Sequence, residues 1–139
     1  MPGVITYREG FKYQLVEDYR IVLPIRPETE LDIIADFYTL GIDGTLTVRA
    51  GYAWDGASGP AIDTPDFMRG SLVHDVLYQM MGERQLDPEK YRQPADAVLR
   101  DICREDGMSA IRAWWVYQGV RFGGGGIAIS PDKPPRTAP

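Results

Sequence analysis

The chain has only one cysteine and one histidine among its 139 residues, Cys103 and His74. A single cysteine cannot form an internal disulfide, and structural zinc sites, which draw four ligands from cysteine and histidine, are excluded by counting. No uninterrupted apolar run approaches the roughly 18 residues that a membrane-spanning helix needs. The N-terminus MPGVITYREG has neither a basic start nor an apolar core, so we expect no signal peptide and no membrane anchor.

The chain also lacks an excess of positive charge. Fifteen basic residues stand against twenty acidic ones, which gives a net charge of −5. Phosphate backbones are repelled by such a balance, so we do not expect nucleic acid as a partner. Apolar residues make up 44% and charged residues 25% of the chain, which is close to the globular average and sufficient for a buried core.

The first half of the chain predicts two β-hairpins. In FKYQLVEDYRIVLP, large apolar residues alternate with polar ones on both sides of Glu17-Asp18, which is typical of two paired strands. Asp43-Gly44 predicts the second hairpin, because these residues can supply the positive φ angles of a tight turn between ADFYTLGI and TLTVRAGYA. We expect residues 25–30, close to Pro24 and Pro27, to form a loop or a sheet edge. The last strand should present one face made of Leu46, Val48, Ala50 and Tyr52.

The second half of the chain predicts three helices. The first begins at Thr64-Pro65-Asp66, a cap followed by a proline at the first helical position, and runs to about Met81, where Gly82 stops it. The second has Pro94 in its first turn and continues to about Asp106, before Gly107. Ser109 caps the third, SAIRAWWVYQGVRF, which ends at the four glycines 123–126.

Strands followed by helices predict an α+β fold, with the N-terminal hairpins forming a small antiparallel sheet packed against the three C-terminal helices. Residues 1–122 would form this single domain. Residues 123–139 contain four glycines and four prolines among seventeen residues, which favours a flexible tail. Docking on another subunit could order that tail, most simply through residues 127–129.

Candidate functional residues begin in the segment GYAWDGASGPAIDTPDF, which follows the last strand. Asp55 supplies a carboxylate and Ser58 a hydroxyl in a loop rich in small residues, and loops of this kind often carry function. The alternative is structural, because an aspartate in a turn commonly accepts hydrogen bonds from nearby backbone amides.

A second group of candidates lies on the first helix. His74 and Asp75 are adjacent polar residues among apolar ones, so both need partners. A lone helical histidine is more often a satisfied core residue than a catalytic one. Neighbouring helical positions differ by about 100°, so Asp75 does not point at the imidazole. An orienting carboxylate for His74 must come from Asp55, Asp63 or Asp96.

The remaining helices add one further candidate and several aromatic residues. Asp96 is expected in the first turn of the second helix, where the helix dipole alone would favour an acidic residue by about 0.3–1 kcal/mol. Helical spacing places His74 on one face with Gly70, Ser71 and Tyr78. Trp114 and Trp115 are most simply interpreted as core or interface residues.

Two of these segments resemble a known family. GYAWDGASGP followed by LVHDVLYQM is similar to the signature of the phage-associated family called domain of unknown function 1353. The resemblance covers about residues 46–78, and more loosely it places Asp96 at the acidic position of the family's second helix. Gly59 and Trp54 depart from the commoner residues of the signature. The resemblance implies a protein of tailed phages or prophages whose activity is unassigned.

We therefore expect a virion-associated structural or accessory component, from the tail or head–tail region, in which a polar cluster pins the loop to the first helix. Its partners would be other phage proteins or further copies of the chain, reached through the C-terminal tail, with neither nucleic acid nor membrane involved. It would be found in the virion or in the host cytoplasm.

Two alternatives remain open. One is a small hydrolase, in which Asp55, His74, Asp75 and Asp96 hold a divalent metal ion that activates water. In that case Asp55, Ser58, His74 and Asp75 would be catalytic. A Ser58–His74 acyl-transfer triad is the least favoured version, because no G-x-S-x-G turn is present, and HD-type phosphohydrolases need histidines that this chain lacks. The other alternative is an accessory protein that binds a host protein.

Overall fold

The computed structural model describes residues 5–8, 13–55 and 64–123. The predictions made for Ser58, for Asp63 and for the tail after Gly123 lie outside these residues, as do the first two residues of the first predicted strand. The chain divides into two compact units, Met1–Asp55 and Gly56–Pro139. The described strands all belong to the first unit and the described helices to the second, so the predicted α+β class is confirmed.

The first unit contains two antiparallel sheets. The three-stranded sheet has the order β1-β2-β7, and the four-stranded sheet has the order β3-β6-β5-β4. The seven strands are β1 (Tyr7–Arg8), β2 (Tyr13–Leu15), β3 (Tyr19–Val22), β4 (Ile33–Ile34), β5 (Tyr38–Leu40), β6 (Thr45–Val48) and β7 (Ala53–Trp54).

The first predicted hairpin is wrong, because β2 and β3 belong to different sheets. Both strands instead pair with the β6–β7 segment. Tyr13 lies opposite Trp54 and Tyr19 lies opposite Val48, so the same register continues through both sheets. At the bend between them, Asp18 Oδ1 accepts a hydrogen bond of 2.8 Å from the Ala50 backbone amide. The alternation of residues therefore identified the strands correctly, but Glu17-Asp18 joins two sheets instead of reversing the chain.

The second predicted hairpin is confirmed, since β5 and β6 pair antiparallel. Of Asp43 and Gly44, only Gly44 has a positive φ angle, at 91°. Gly41 N donates to Thr45 O at 2.8 Å, and Gly44 N donates to Gly41 O at 2.9 Å. This is a three-residue loop ending in a left-handed glycine instead of a two-residue turn. A Cβ at position 44 would lie 2.3 Å from Leu23 O, so glycine is required there.

The face predicted for the last strand is only partly correct. Leu46, Val48 and Tyr52 are buried, whereas Ala50 is exposed. Strand β6 ends at Val48, and the chain bends before β7, so the two-residue alternation does not continue through the bend. Residues 25–30 form a loop, as expected.

Helix α1 spans Pro65–Gly82, within one residue of the predicted bounds, but the side chain of the predicted cap, Thr64, makes no capping hydrogen bond. Helix α3 spans Ala110–Gly123, and Ser109 caps it as expected, because its Oγ accepts a 3.2 Å hydrogen bond from Arg112 N. None of the helices in the described ranges is long and apolar enough to span a membrane.

Helix α2 begins earlier than predicted and spans Pro88–Glu105. The Asp87 side chain accepts a 3.1 Å hydrogen bond from Glu89 N, and Pro88 occupies the first helical position, a combination that favours a helix start. Pro94 therefore lies inside the helix. Asp96 consequently lies in the middle of α2 instead of its first turn, so the helix dipole does not explain it.

The three helices share a core in which small residues allow close approach. Its buried members are Phe67, Leu99, Cys103, Met108, Ala113 and Val116. A Cβ at Gly70 would lie 3.2 Å from Cys103 Sγ and 3.0 Å from Leu99 Cδ1, so α1 and α2 approach closely there. Trp114 and Trp115 are exposed, which rules out the core interpretation for these two residues within this structure.

Candidate functional site

The principal polar cluster of the helical unit is centred on Asp96, a completely buried carboxylate of α2. Its Oδ1 lies 2.7 Å from His74 Nε2 and 2.6 Å from the Tyr78 hydroxyl. Its Oδ2 accepts a 2.9 Å hydrogen bond from Arg121 Nη1. Both oxygens of this buried carboxylate are therefore occupied. We call these four residues the Asp96 cluster.

Helical periodicity brings two members of the cluster together on α1. His74 and Tyr78 are four positions apart, so their side chains lie on one face of the helix, as the sequence predicted. Their rings are 4.1 Å apart between centroids, with an interplanar angle of 37°. The imidazole and the phenol therefore approach the same oxygen side by side.

Each helix of the unit contributes to the cluster. Asp96 lies on α2, and Arg121 lies near the C-terminal end of α3. A contact between α2 and α3 accompanies it, because Gln93 Nε2 donates to the Tyr117 hydroxyl at 3.0 Å and the Arg100 guanidinium lies 4.9 Å from the centre of the Tyr117 ring. The cluster therefore ties three helices to one buried charge.

The electrostatics favour an ionised Asp96. Burial is the largest influence on its pKa and raises it, but the hydrogen bonds from His74, Tyr78 and Arg121 outweigh burial and hold the pKa below its ordinary value. Burial, the hydrogen bond to Asp96 and the charge of Asp96 raise the pKa of Tyr78. Tyr78 therefore remains a neutral hydrogen-bond donor at physiological pH.

The ionised state of Asp96 determines which ring nitrogen of His74 carries a proton and which one can accept a proton. An ionised carboxylate can only accept hydrogen bonds, so His74 must carry a proton on Nε2. Nδ1 has no hydrogen-bond partner among the described residues, and the His74 side chain is 14% exposed. The carboxylate thus orients the ring and leaves one ring nitrogen that could accept a proton.

A separate ion-pair network lies elsewhere in the helical unit. The buried Arg69 guanidinium donates to Asp106 at 3.0 Å from Nε and 2.8 Å from Nη2, and it also pairs with Glu105. Ser71, which shares a helix face with His74, instead donates from Oγ to the backbone oxygen of Met68 at 2.8 Å. Ser71 is therefore engaged within its own helix.

The orienting carboxylate expected for His74 from outside α1 is Asp96. Asp75 is half-buried beside His74 on the same helix. Asp55 is exposed at the end of the first unit, and Ser58 lies outside the described residues. The proximity of Asp55 and Ser58 to His74 remains a prediction.

The metal-binding prediction gains no support from the described residues. Across the ranges 5–8, 13–55 and 64–123, no group of three or more histidine, cysteine, aspartate or glutamate side chains is arranged to hold a metal ion. Within the Asp96 cluster the aspartate oxygens already accept three hydrogen bonds from protein donors. Any further ligand at Asp96 would have to compete with them.

Sequence reasoning overlooked two members of the cluster. Tyr78 lies on the predicted face of His74 but is not among the predicted site residues, although its spacing of four residues is a signal for their contact. Arg121 was missed entirely. Its pairing with Asp96 joins residues 25 positions apart on different helices, and no local pattern encodes such a contact.

The fold and site define an α+β protein whose helical unit is organised around one buried, triply hydrogen-bonded carboxylate. The family model described as "Protein of unknown function (DUF1353)" matches residues 32–120, more than half of the chain, and the protein belongs to this family. The match includes His74, Tyr78 and Asp96 and ends one residue before Arg121. Searches of curated proteins and of solved structures found no match.

Proposed function

We propose that the protein is a virion-associated structural or accessory component of a tailed phage, and that its Asp96 cluster fixes the packing of the helical unit instead of performing chemistry. The observation that carries the structural role is the state of Asp96, which is fully buried with both oxygens hydrogen-bonded. A carboxylate in this state is shielded from solvent, and each of its oxygens already accepts a hydrogen bond from the protein.

Polar groups buried in this manner favour one packing arrangement over its competitors. Any shift of α1, α2 or α3 would separate a charged or polar group from its partner, and such separations are costly in a low-dielectric interior. In the described part of the chain, no buried side-chain nitrogen or oxygen lacks a hydrogen-bond partner. Complete satisfaction of this kind is what a structural polar network requires.

The phage assignment rests on the sequence resemblance, which implies a setting in tailed phages and prophages. A small acidic protein with no expected nucleic-acid affinity fits an assembly role better than a role in handling the genome. The tail of residues 123–139 would supply a docking segment for other phage proteins, since segments of low apolar content can fold on binding.

The test of the phage assignment is recovery of the protein in particles. Cells producing the phage that encodes the chain would be lysed, and particles would be purified on a density gradient. We expect the protein to band with the particles at a constant ratio to the major capsid protein. Its recovery only in particle-free fractions would contradict virion association, and a host protein co-purified from those fractions would favour the host-interacting alternative.

One observation favours the hydrolase as a second candidate. His74 is oriented by Asp96 and keeps Nδ1 available, which is the arrangement of a general base. Asp55, Ser58 and Asp75 would complete such a site, with a divalent ion if one binds. Thermal melts with Zn²⁺, Mn²⁺, Mg²⁺ and Ca²⁺ test this candidate, because a bound ion raises the melting temperature by mass action. A rise lost in Asp55→Asn would support it, and unchanged melts would remove the metal-dependent version.

A further inference from the structure

Helix α3 has an exposed apolar face that the fold of the described chain does not use. Ile111 is 68% exposed, Trp114 51%, Trp115 64% and Phe122 87%. The opposite side of the same helix is buried through Ala113 and Val116. A contiguous patch of exposed apolar side chains usually marks a site where another molecule binds. We call these four exposed residues the aromatic face.

Three members of the aromatic face lie in one row along the helix, in which Gln118 occupies the position between Trp115 and Phe122. Ile111 and Trp115 are four positions apart, and Phe122 follows Trp115 by seven, so all three lie in one row. Trp114 lies beside the row, and its ring packs edge-on against that of Trp115, with 5.0 Å between centroids. The row is therefore about 16 Å long at 1.5 Å per residue.

Gly119 lies at one edge of this face and leaves a notch there. It lies four residues after Trp115 and three before Phe122, and apart from its chain neighbours and the backbone of its own helix nothing in the described chain comes within 4 Å of the position where its Cβ would be. Glycine inside a helix costs about 0.5–1 kcal/mol relative to alanine. No contact within the described chain requires a glycine there, whereas an incoming side chain could use the open space.

The charges of α3 do not oppose association of this face with a copy of itself. The helix contains two charged residues, Arg112 and Arg121. Arg112 pairs with Asp66 at 3.4 Å, and Arg121 pairs with Asp96 at 2.9 Å. Because both charges are compensated within the unit, two aromatic faces can approach with little repulsion.

The area available suits a weak dimer. A fully buried aromatic side chain contributes about 150–250 Å², so the exposed parts of the aromatic face offer on the order of 500 Å² per copy. A standard interface buries about 800 Å² per partner. The aromatic face would therefore supply most of the core of an interface whose area lies at the lower end of the range for protein–protein interfaces. Aromatic residues at the centre of such an interface dominate its affinity.

The C-terminal segment after Gly123 offers less apolar surface than a second copy. Its only large apolar residues are Ile127 and Ile129. Two isoleucines cannot cover three aromatic rings and Ile111, and the surrounding prolines and polar residues add little. A second aromatic face matches the first in size and in apolar character.

From these observations we propose that the aromatic face of α3 is a homodimer interface, in which α3 packs against α3 of a second copy around a twofold axis. Self-complementary patches of this kind produce closed, symmetric dimers. Phage association does not enter this inference, so the two proposals can fail separately.

The test is sedimentation velocity of the full chain between about 1 and 300 μM, because interfaces below the standard size are typical of weak, transient association. We expect a concentration-dependent change from 15.6 kDa to twice that mass. Trp115→Ser should raise the dissociation constant at least tenfold without changing the far-UV circular dichroism, since the residue is exposed. Gly119→Gln, which fills the notch, should also weaken the dimer while leaving the monomer folded.

Two further variants identify the surface. Ile34→Ser removes an equally exposed isoleucine from the strand-bearing unit and should leave dimerisation unchanged. Ile127→Ser combined with Ile129→Ser tests the tail as occupant. A monomeric parent at every concentration, or an Ile34→Ser variant weakened as much as Trp115→Ser, would overturn the proposal. If the parent is monomeric but the Ile127→Ser/Ile129→Ser variant dimerises, the tail covers the aromatic face in the parent. That result would also overturn the proposal.

Discussion

His74 Nε2 and Asp96 Oδ1 lie 2.7 Å apart although the two residues are separated by 22 positions and belong to different helices. This contact places the histidine and a fully buried carboxylate in one hydrogen-bonded cluster with Tyr78 and Arg121. The predictions below test that cluster and the helical core beside it.

Asp96→Asn should destabilise the helical unit by about 2–4 kcal/mol, because it removes the charge that three donors share and leaves Arg121 without its partner. Urea denaturation followed at 222 nm measures the change. Asp101→Asn is the matched control, since Asp101 lies on the same helix but is exposed and pairs only with Arg100 at the surface. The control should change stability by less than about 0.5 kcal/mol. Equal effects of the two variants would contradict the structural role of Asp96.

The contribution of Asp96 should depend on pH in a defined direction. The pKa of Asp96 is lower in the folded chain than its ordinary value of 3.8, so the unfolded chain binds the proton more readily. The stabilisation is therefore present above the ordinary pKa and lost as the pH falls through the lower folded value. The melting temperatures of the parent and of Asp96→Asn should differ by a constant amount above about pH 5, begin to approach each other below about pH 4, and meet only below the lower folded pKa. A difference that persists at low pH would contradict the assignment.

Arg121→Met should cost about 1–3 kcal/mol, because it preserves the length of the side chain but leaves Asp96 Oδ2 buried without a donor. The measurement is again urea denaturation. Arg112→Met makes the same substitution on the same helix at a more exposed site, 42% against 27%, and at a longer ion-pair distance. We expect a loss below about 1 kcal/mol for this control. A smaller loss at Arg121 than at Arg112 would count against the cluster.

Cys103 should be unreactive in the folded protein. The thiol is completely buried in the helical core, and burial, together with the charges of Asp66 and Asp106, raises its pKa to about 12. Thiolates are the reactive form, so a colorimetric thiol reagent near pH 8 should label no cysteine in the native chain and one in denaturant. Asp101→Cys, on the exposed side of α2, should label at once under native conditions. Rapid native labelling of Cys103 would show that the core opens readily.

Much of the secondary structure could be predicted because its signals are local. Thr64-Pro65 and Gly82 mark the ends of α1, and Ser109 marks the start of α3. The prediction for α2 is wrong at its start, because the first-turn proline is not Pro94 but Pro88, which follows the capping residue Asp87. That error also placed Asp96 at a helix end, where an acidic residue has a simple explanation, and so concealed its burial in the middle of the helix.

Pairing between distant segments was harder to predict. Alternation identified the strands on both sides of Glu17-Asp18, but the pattern is the same whether two strands form a hairpin or pass into separate sheets. Similarly, the sequence of α3 contains several aromatic residues, but its helical periodicity does not show that Trp114 and Trp115 face outward. The side that a helix buries depends on its neighbours, and the sequence of α3 does not specify those neighbours.

By itself, the sequence determined the bounds of α1, the C-terminal end of α2 and the start of α3, that His74 and Tyr78 share a face, and that His74 needs a partner from another element. These are consequences of helical periodicity and of the cost of burying polar groups. Only the tertiary structure decided that the partner is Asp96 and that Arg121 completes the cluster. Such contacts join groups on three helices, and their distances follow from how the helices pack and not from any spacing along the chain.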